Sequence, residues 1–256
     1  MYKVLVLDLD GTLLRSDKTI SKRTLNVLLK CQEYGIETII ATARPHRFVK
    51  KYLPGFLNKQ LKIVYNGAEI YHGKQKIFSN YINKKSVEQI IKSANDYFDN
   101  CRIGIESNDV LYANFQVEKL FGNAEYQLVN NNELPIQSSA KVLIDLTNIT
   151  DYQAFKRQLP KDVKMIITDK KTLGQITNKS VSKLNAIKHI LPQTSLSLKD
   201  VIAFGDDFND LDIIKESGVG VAMANAEPAL KRVADYITCN NNRDGVATFL
   251  EKQLIY

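Results

Sequence analysis

The stretch LDLDGTLL, residues 7–14, sets two carboxylates, Asp8 and Asp10, two positions apart where an apolar run stops. On an extended chain, residues i and i+2 share a face, so both are expected to project together from the end of one strand. Burying one charge is costly, and a second beside it adds repulsion, so a positive partner is expected there. Gly11 lets the backbone turn sharply. Asp-Gly after a strand is also a common turn, so the pair takes its force from the segments that join it. A calcium loop is excluded, because the sixth position from Asp8 is Leu13 rather than Gly and the twelfth is Thr19 rather than Glu.

A second acidic cluster, Gly205-Asp206-Asp207-Phe208-Asn209-Asp210, follows the apolar run VIAF. Asp206 or Asp207 can serve simply as a helix N-cap. Two acidic clusters at one sheet edge repel each other unless a cation lies between them. Surroundings rich in oxygen and free of Cys and His favour a hard ion, Mg²⁺ above all. Thr42 stands at the end of another apolar run, where its hydroxyl and the backbone N–H groups after it can hold a phosphate oxygen. Thr is equally a strand-favouring residue. Lys183, in VSKLNA, can bring a positive charge to that phosphate or simply face solvent.

These residues need a scaffold that carries them to one edge. YKVLVLD reads as a buried parallel strand, and ISKRTLNVLLKCQEYG as a helix with Ser21 as N-cap, Leu25, Leu28 and Leu29 at helical spacing and Gly35 as the stop. IETIIATA is the second strand, Pro45 opens the next helix, and LKIVYNGAEI is the third strand. The alternation resumes near the C-terminus with VIAFG, a helix after it, VGVAMANA, EPALKRVA and DYIT. This predicts an α/β fold with a doubly wound, Rossmann-like parallel-sheet core, whose binding edge is the C-terminal end of the strands. Between its halves the pattern is different: a helix around SVEQIIKSANDYFDN, then short strands about a Ser107-Asn108-Asp109 turn. The expectation is a core of residues 1–83 and 181–256 with an α+β domain, residues 84–180, inserted into it, the two crossings acting as hinges.

Of the 256 residues, 44% are hydrophobic and 25% charged, a globular composition. No run approaches the roughly 18 apolar residues of a membrane span, and a cytoplasmic location is expected. Cys31, Cys101 and Cys239 are odd in number and widely spaced, so isolated thiols are expected rather than disulfides or a zinc site. The net charge of +7 is concentrated before residue 84, much of it in Arg44, Arg47, Lys50 and Lys51 beside His46. That segment lacks the RGG run or stacking aromatics of a nucleic-acid module, so no nucleic-acid partner is expected. A solvated helix face is the plainer reading, with steering of a small anionic substrate beside it.

Taken jointly, DLDGTLL, IIATARP, Lys183 in VSKLNA and GDDFND resemble the four motifs of the haloacid dehalogenase superfamily, over nearly the whole chain. YNGAEI, VGVAMANA and ADYITCNNNRDGV are similar to the Cof-like phosphatases, which carry a large α/β (type IIB) cap. Ala43, Leu184, Ala224 and Arg243 depart from the residues common in that pattern. None removes a reacting group, so they bear on substrate preference.

The resemblance implies an Mg²⁺-dependent phosphatase of small phosphate monoesters, sugar phosphates foremost. Asp8 would be the nucleophile forming an aspartyl-phosphate, and Asp10 the general acid and base. The metal would be held by the Asp8 side chain, the Asp10 carbonyl and the Asp206 side chain. Thr42, Lys183 and Asn209, with the Leu9 and Ala43 N–H groups, would cradle the phosphoryl group. Asp207 and Asp210 would support them from behind, Asp210 anchoring Lys183. The cap would close over the substrate and select it. The implied partner is a small phosphorylated molecule, with no membrane and an open choice between monomer and weak dimer. Alternatives are a phosphomutase or phosphotransferase on the same scaffold, and a non-enzymatic phospho-Asp regulator, which would gain nothing from an acid at Asp10.

Overall fold

The computed structural model describes residues 2–147, 149, 151–168 and 171–255. In chain order it runs through β1 (Val4–Leu7), α1 (Lys22–Glu33), β2 (Glu37–Ala41), α2 (His46–Tyr52), α3 (Gly55–Asn58), β3 (Leu61–Val64), β4 (Glu69–His72) and β5 (Gln75–Ser79). There follow α4 (Lys84–Tyr97), β6 (Ile103–Ser107), β7 (Val110–Ala113), α5 (Glu118–Phe121), β8 (Gln127–Leu128), β9 (Lys141–Asp145), α6 (Gln153–Gln158), β10 (Val163–Thr168) and β11 (Leu173–Asn178). The remainder is α7 (Lys183–Ile190), β12 (Val201–Gly205), α8 (Leu211–Glu216), β13 (Val219–Ala222), α9 (Pro228–Val233), β14 (Tyr236–Ile237) and α10 (Gly245–Leu250).

The chain divides into two compact units, residues 1–78 with 182–256, and residues 79–181. The second unit starts earlier than residue 84 because Ile82 already exchanges backbone hydrogen bonds with Ser139 and is buried in that unit's apolar cluster.

The first unit is built on a sheet of order β14-β13-β12-β1-β2-β3-β4-β5. Neighbours from β14 through β3 are parallel, which gives the Rossmann-like core. β1 lies in the interior of this sheet with all four residues buried, Leu7 standing opposite both Ile40 and Phe204. β1, β2 and β12 therefore end in one row. Asp8, Thr42 and Asp206, the next residues of each chain segment, leave the sheet along the same edge.

Two local expectations are corrected. LKIVYNGAEI is not one strand: β3 and β4 pair antiparallel across Tyr65, Asn66 and Gly67, whose φ values are 51°, 59° and 108°. In α1, Ser21 accepts the Thr24 N–H at 3.0 Å and Gly35 ends the helix at φ 74°, but the buried face is Thr24, Val27, Leu28 and Cys31, with Leu29 exposed.

The second unit holds a sheet of order β10-β11-β9-β6-β7-β8, antiparallel except for the β7–β8 pair. Val87, Ile90, Ile91 and Ala94 of α4 join Ile103, Ile105, Val142, Ile144 and Ile176 in one apolar cluster. Asn83 caps α4 by accepting the Ser86 N–H at 2.9 Å. All three cysteines are free thiols. Among the described residues no helix is long and apolar enough to cross a membrane.

Candidate active site

Asp8 follows β1 without a break, its N–H donating to the Phe204 carbonyl at 3.1 Å. Its own carbonyl accepts from Leu13 N–H at 3.2 Å and that of Leu9 from Leu14 N–H at 2.8 Å, so the chain turns tightly instead of staying extended. The i, i+2 geometry expected for Asp8 and Asp10 therefore does not apply, and the two carboxylates have separate sets of partners. Asp8 is ion-paired with Lys183. Asp10 receives Lys18 Nζ at 2.6 Å and Arg44 Nε at 2.8 Å.

Lys183 is the first residue of α7, after Ser182, whose hydroxyl accepts the Asn185 N–H at 3.0 Å. A cation at a helix N-terminus opposes the helix dipole. Here Lys183 is buried and bridges Asp8 and Asp210, the latter at 2.6 Å. Burial would lower the ammonium's pKa, but Asp210 and Asp8 outweigh it and raise it above the ordinary lysine value. The cation expected between the two acidic clusters is thus supplied in part by the protein itself.

One ammonium does not neutralise three carboxylates. Asp8, Asp206 and Asp210 each offer an oxygen within 4.8 Å of the others. Burial drives Asp8 well above the usual carboxylate range, with Asp210 and Asp206 adding to it against the pull of Lys183. Asp206 is pushed up to about 6, first by burial, with Asp210 adding and the Thr12 hydroxyl opposing. Asp210 has its oxygens engaged, Oδ1 by Lys183 and Oδ2 by the Asp206 and Asp207 N–H groups at 3.1 and 3.3 Å. Asp206 takes Thr12 Oγ1 on its Oδ1 at 2.7 Å. A Cβ on Gly11 would come within 2.2 Å of Asp206 Oδ2, and Gly11 has φ 78°, so only glycine leaves room for this carboxylate. An all-oxygen, under-neutralised donor set of this kind fits Mg²⁺.

Asp207 is exposed, and its carboxylate caps the short turn Phe208–Asp210 by accepting the Phe208 N–H at 2.7 Å. The same turn forms a capping box in which the Asp207 carboxylate accepts the Asp210 N–H and the Asp210 carboxylate accepts that of Asp207, so Asp207 braces Asp210 from the exposed side. Asn209 donates from Nδ2 to Asn66 Oδ1 at 2.8 Å and keeps its own Oδ1 buried without a hydrogen-bond partner. Thr42 is buried at the end of β2, its hydroxyl accepting the Arg44 N–H at 3.1 Å and its carbonyl the Asn66 N–H at 2.9 Å. Leu9 is buried in the turn after β1, and Ala43 follows Thr42 directly. Thr12, Arg44 and Asn66 lie inside the motif segments and Lys18 outside them, but no motif names their partners, which lie across the fold. Burial would raise Asp10, but Arg44 and Lys18 outweigh it and hold it below the usual carboxylate range.

The basic segment is not uniformly a solvated helix face. His46 and Val49 are buried, Arg44 lies over the Phe48 ring at 4.4 Å, and Arg47 donates to the Tyr65 hydroxyl at 3.1 Å.

Acidic and cationic side chains are thus gathered at the C-terminal end of the sheet's interior strand. The family model for haloacid dehalogenase-like hydrolases matches residues 5–250, and the chain belongs to that family. It is a hydrolase of the phosphatase class. Phosphatase YwpJ of Bacillus subtilis is 28% identical, over 98% of this chain and 100% of its own. The 5-amino-6-(5-phospho-D-ribitylamino)uracil phosphatase YitU of the same organism is 27% identical, over 97% and 96%. The crystal structure of a haloacid dehalogenase-like hydrolase from Bacteroides thetaiotaomicron superposes with a TM-score of 0.82, at 26% identity and covering 100% of both chains.

Proposed function

We propose that the protein is an Mg²⁺-dependent phosphatase of small phosphate monoesters, sugar phosphates foremost, acting through Asp8. The buried Asp8–Lys183–Asp210 ion triad at the end of β1 carries this reading, since it presents one carboxylate on a fixed cation. Asp8 attacks phosphorus as the ester P–O bond breaks, and an aspartyl-phosphate forms. Asp10, which takes up a proton from solvent as the ester binds against the pull of Arg44 and Lys18, gives that proton to the departing alkoxide, then takes one from the water that cleaves the aspartyl-phosphate and regenerates Asp8. Lys183, Thr42 and Asn209, with the Leu9 and Ala43 N–H groups, hold the phosphoryl oxygens while charge shifts among them. Asp8, Asp206 and the Asp10 carbonyl would hold Mg²⁺, which supplies the positive charge that lets a carboxylate approach a phosphate dianion. The 79–181 unit is assigned substrate selection. The ribityl phosphate in the name of one relative is a polyhydroxylated alkyl ester, and it supports this substrate class.

The test is phosphate release from sugar, ribityl, nucleotide and cofactor phosphates, with and without Mg²⁺, by the wild type and Asp8→Asn. Release that needs both the metal and Asp8 is the expected result. Release that survives Asp8→Asn would overturn the nucleophile assignment, and an isomerised sugar phosphate in place of free phosphate would make the protein a mutase.

A further inference from the structure

Lys18 lies eight residues beyond Asp10 in a loop whose sequence, RSDKTIS, carries no motif. Its side chain is 40% exposed, and an ordinary lysine so placed would wander in solvent. The loop does not allow it to. Arg15 and Thr19 close a narrow turn through the Arg15 N–H to Thr19 carbonyl bond at 2.9 Å, and Lys18 N–H donates to the Arg15 carbonyl at 2.9 Å. Lys18 itself has φ 65°, a conformation that a residue with a Cβ keeps only when its surroundings impose it. The outer side of the loop is stitched to the chain after β14. Asn242 accepts the Ser16 N–H at 3.0 Å, Asn241 donates to the Leu14 carbonyl at 2.9 Å, and Arg15 pairs with Asp244 at 2.7 Å.

The ammonium delivered by this frame meets Asp10 Oδ1 at 2.6 Å. Arg44 reaches the same carboxylate from the other side, with Nε on Oδ2 at 2.8 Å and Nη2 on Oδ1 at 3.3 Å. Both oxygens are held, so the plane of the carboxylate is set as well as its position. Arg44 binds as a fork and Lys18 as a single point charge on a flexible stem, which makes Lys18 the partner that an approaching leaving-group oxygen can displace.

We infer that Lys18 is a positioning residue for Asp10: with Arg44 it orients the carboxylate that exchanges protons with the leaving group and the hydrolytic water. This rests on the phosphatase reading above. A positioning role has a signature that loss of structure or of substrate binding lacks. Proton donation matters for an ester whose leaving group is a basic alkoxide and little for para-nitrophenyl phosphate, whose phenolate departs unaided.

The experiment is steady-state kinetics with Mg²⁺ on a sugar phosphate and on para-nitrophenyl phosphate, for wild type, Lys18→Met and Lys18→Arg, with Asp8→Asn alongside. For Lys18→Met, kcat/KM, which covers the steps up to departure of the leaving group, is expected to fall about 10-fold on the sugar phosphate and less than about 3-fold on the aryl ester. Lys18→Arg should recover most of the loss. Equal losses on both esters, or an unchanged or higher kcat/KM on the sugar phosphate, would each overturn the assignment. Crystal structures of wild type and Lys18→Met give a readout independent of turnover, and an Asp10 carboxylate that keeps its plane without Lys18 would also sink it. A wild type that releases phosphate from neither ester, or an active Asp8→Asn, overturns the phosphatase reading and the positioning role with it; the former results leave that reading standing.

Discussion

Thr12 has one polar group, and it donates that hydroxyl to Asp206 from 194 residues away in sequence. The contact opposes the burial that pushes Asp206 up, and so favours the ionised carboxylate that a metal requires. Thr12→Val keeps the shape and removes the donor. The Mg²⁺ concentration for half-maximal phosphate release is expected to rise about 10-fold or more, with maximal activity at saturating metal much less affected. A metal titration of both proteins decides it, and an unchanged midpoint would remove Thr12 from the support of the site. Why Thr12 was not legible from the chain alone is plain at this scale. Asp8 and Asp206 declare themselves because two acidic clusters follow strands that end at one sheet edge, whereas a Thr after Asp-Gly is ordinary until the fold brings Asp206 to it. Lys183 was legible as a cation for the site and the resemblance implied its anchor at Asp210, but its ion pair with Asp8 needed α7 and β1 to be placed.

The hairpin between β3 and β4 shows the same limit for elements. Its apolar, β-branched run reads as strand, and only the left-handed backbone at Tyr65, Asn66 and Gly67 reveals that it folds back. The turn has work beyond reversing the chain. Tyr65 N–H donates to the Arg44 carbonyl at 3.0 Å and Asn66 N–H to that of Thr42 at 2.9 Å, which fixes the segment after β2. Gly67 makes room for α7, since a Cβ there would stand 2.3 Å from the Ser182 carbonyl at a φ of 108°. Gly67→Ala should therefore cost about 2–4 kcal/mol of stability, because it combines backbone strain with a clash against main chain that has no rotamer to change. It should also lower kcat, as Ser182 is the cap of the helix that begins with Lys183. Urea unfolding together with kinetics on the folded fraction separates the two effects, and a variant as stable as wild type would show that α7 adjusts freely. The parallel part of the sheet was legible because buried strands alternate with capped helices; α5, β8 and α10 lie where no such periodicity marks them.

Acid stability of the whole molecule turns on titratable groups that folding removes from water, and two of them act in opposite senses. His46 at the start of α2 is buried, stacked on Tyr71 with ring centroids 3.7 Å apart, and neither ring nitrogen has a hydrogen-bond partner. Burial lowers its pKa to about 4, with Lys50, Lys62 and Lys76 adding to the effect. Between that value and about 6.5 the unfolded chain binds more protons than the native one, so His46 contributes a loss of stability as pH falls through this window. Asp206, raised from 3.8 to about 6, does the reverse: the native state holds its proton more tightly, so acidification from about pH 6 downward, through most of the same window, favours folding. The wild-type pH curve blends the two and reveals neither. Replacing His46 by Phe keeps an aromatic ring against Tyr71 and leaves Asp206 as it was, so the difference between the two proteins isolates the imidazole. Relative to wild type, His46→Phe is expected to gain about 2–3 kcal/mol of unfolding free energy between about pH 7.5 and about pH 4.5, read from urea midpoints at each pH. A difference that stays constant with pH would mean that the native protein accepts a charged His46, and that the α2 end of the first unit opens to water well before the sheet unfolds.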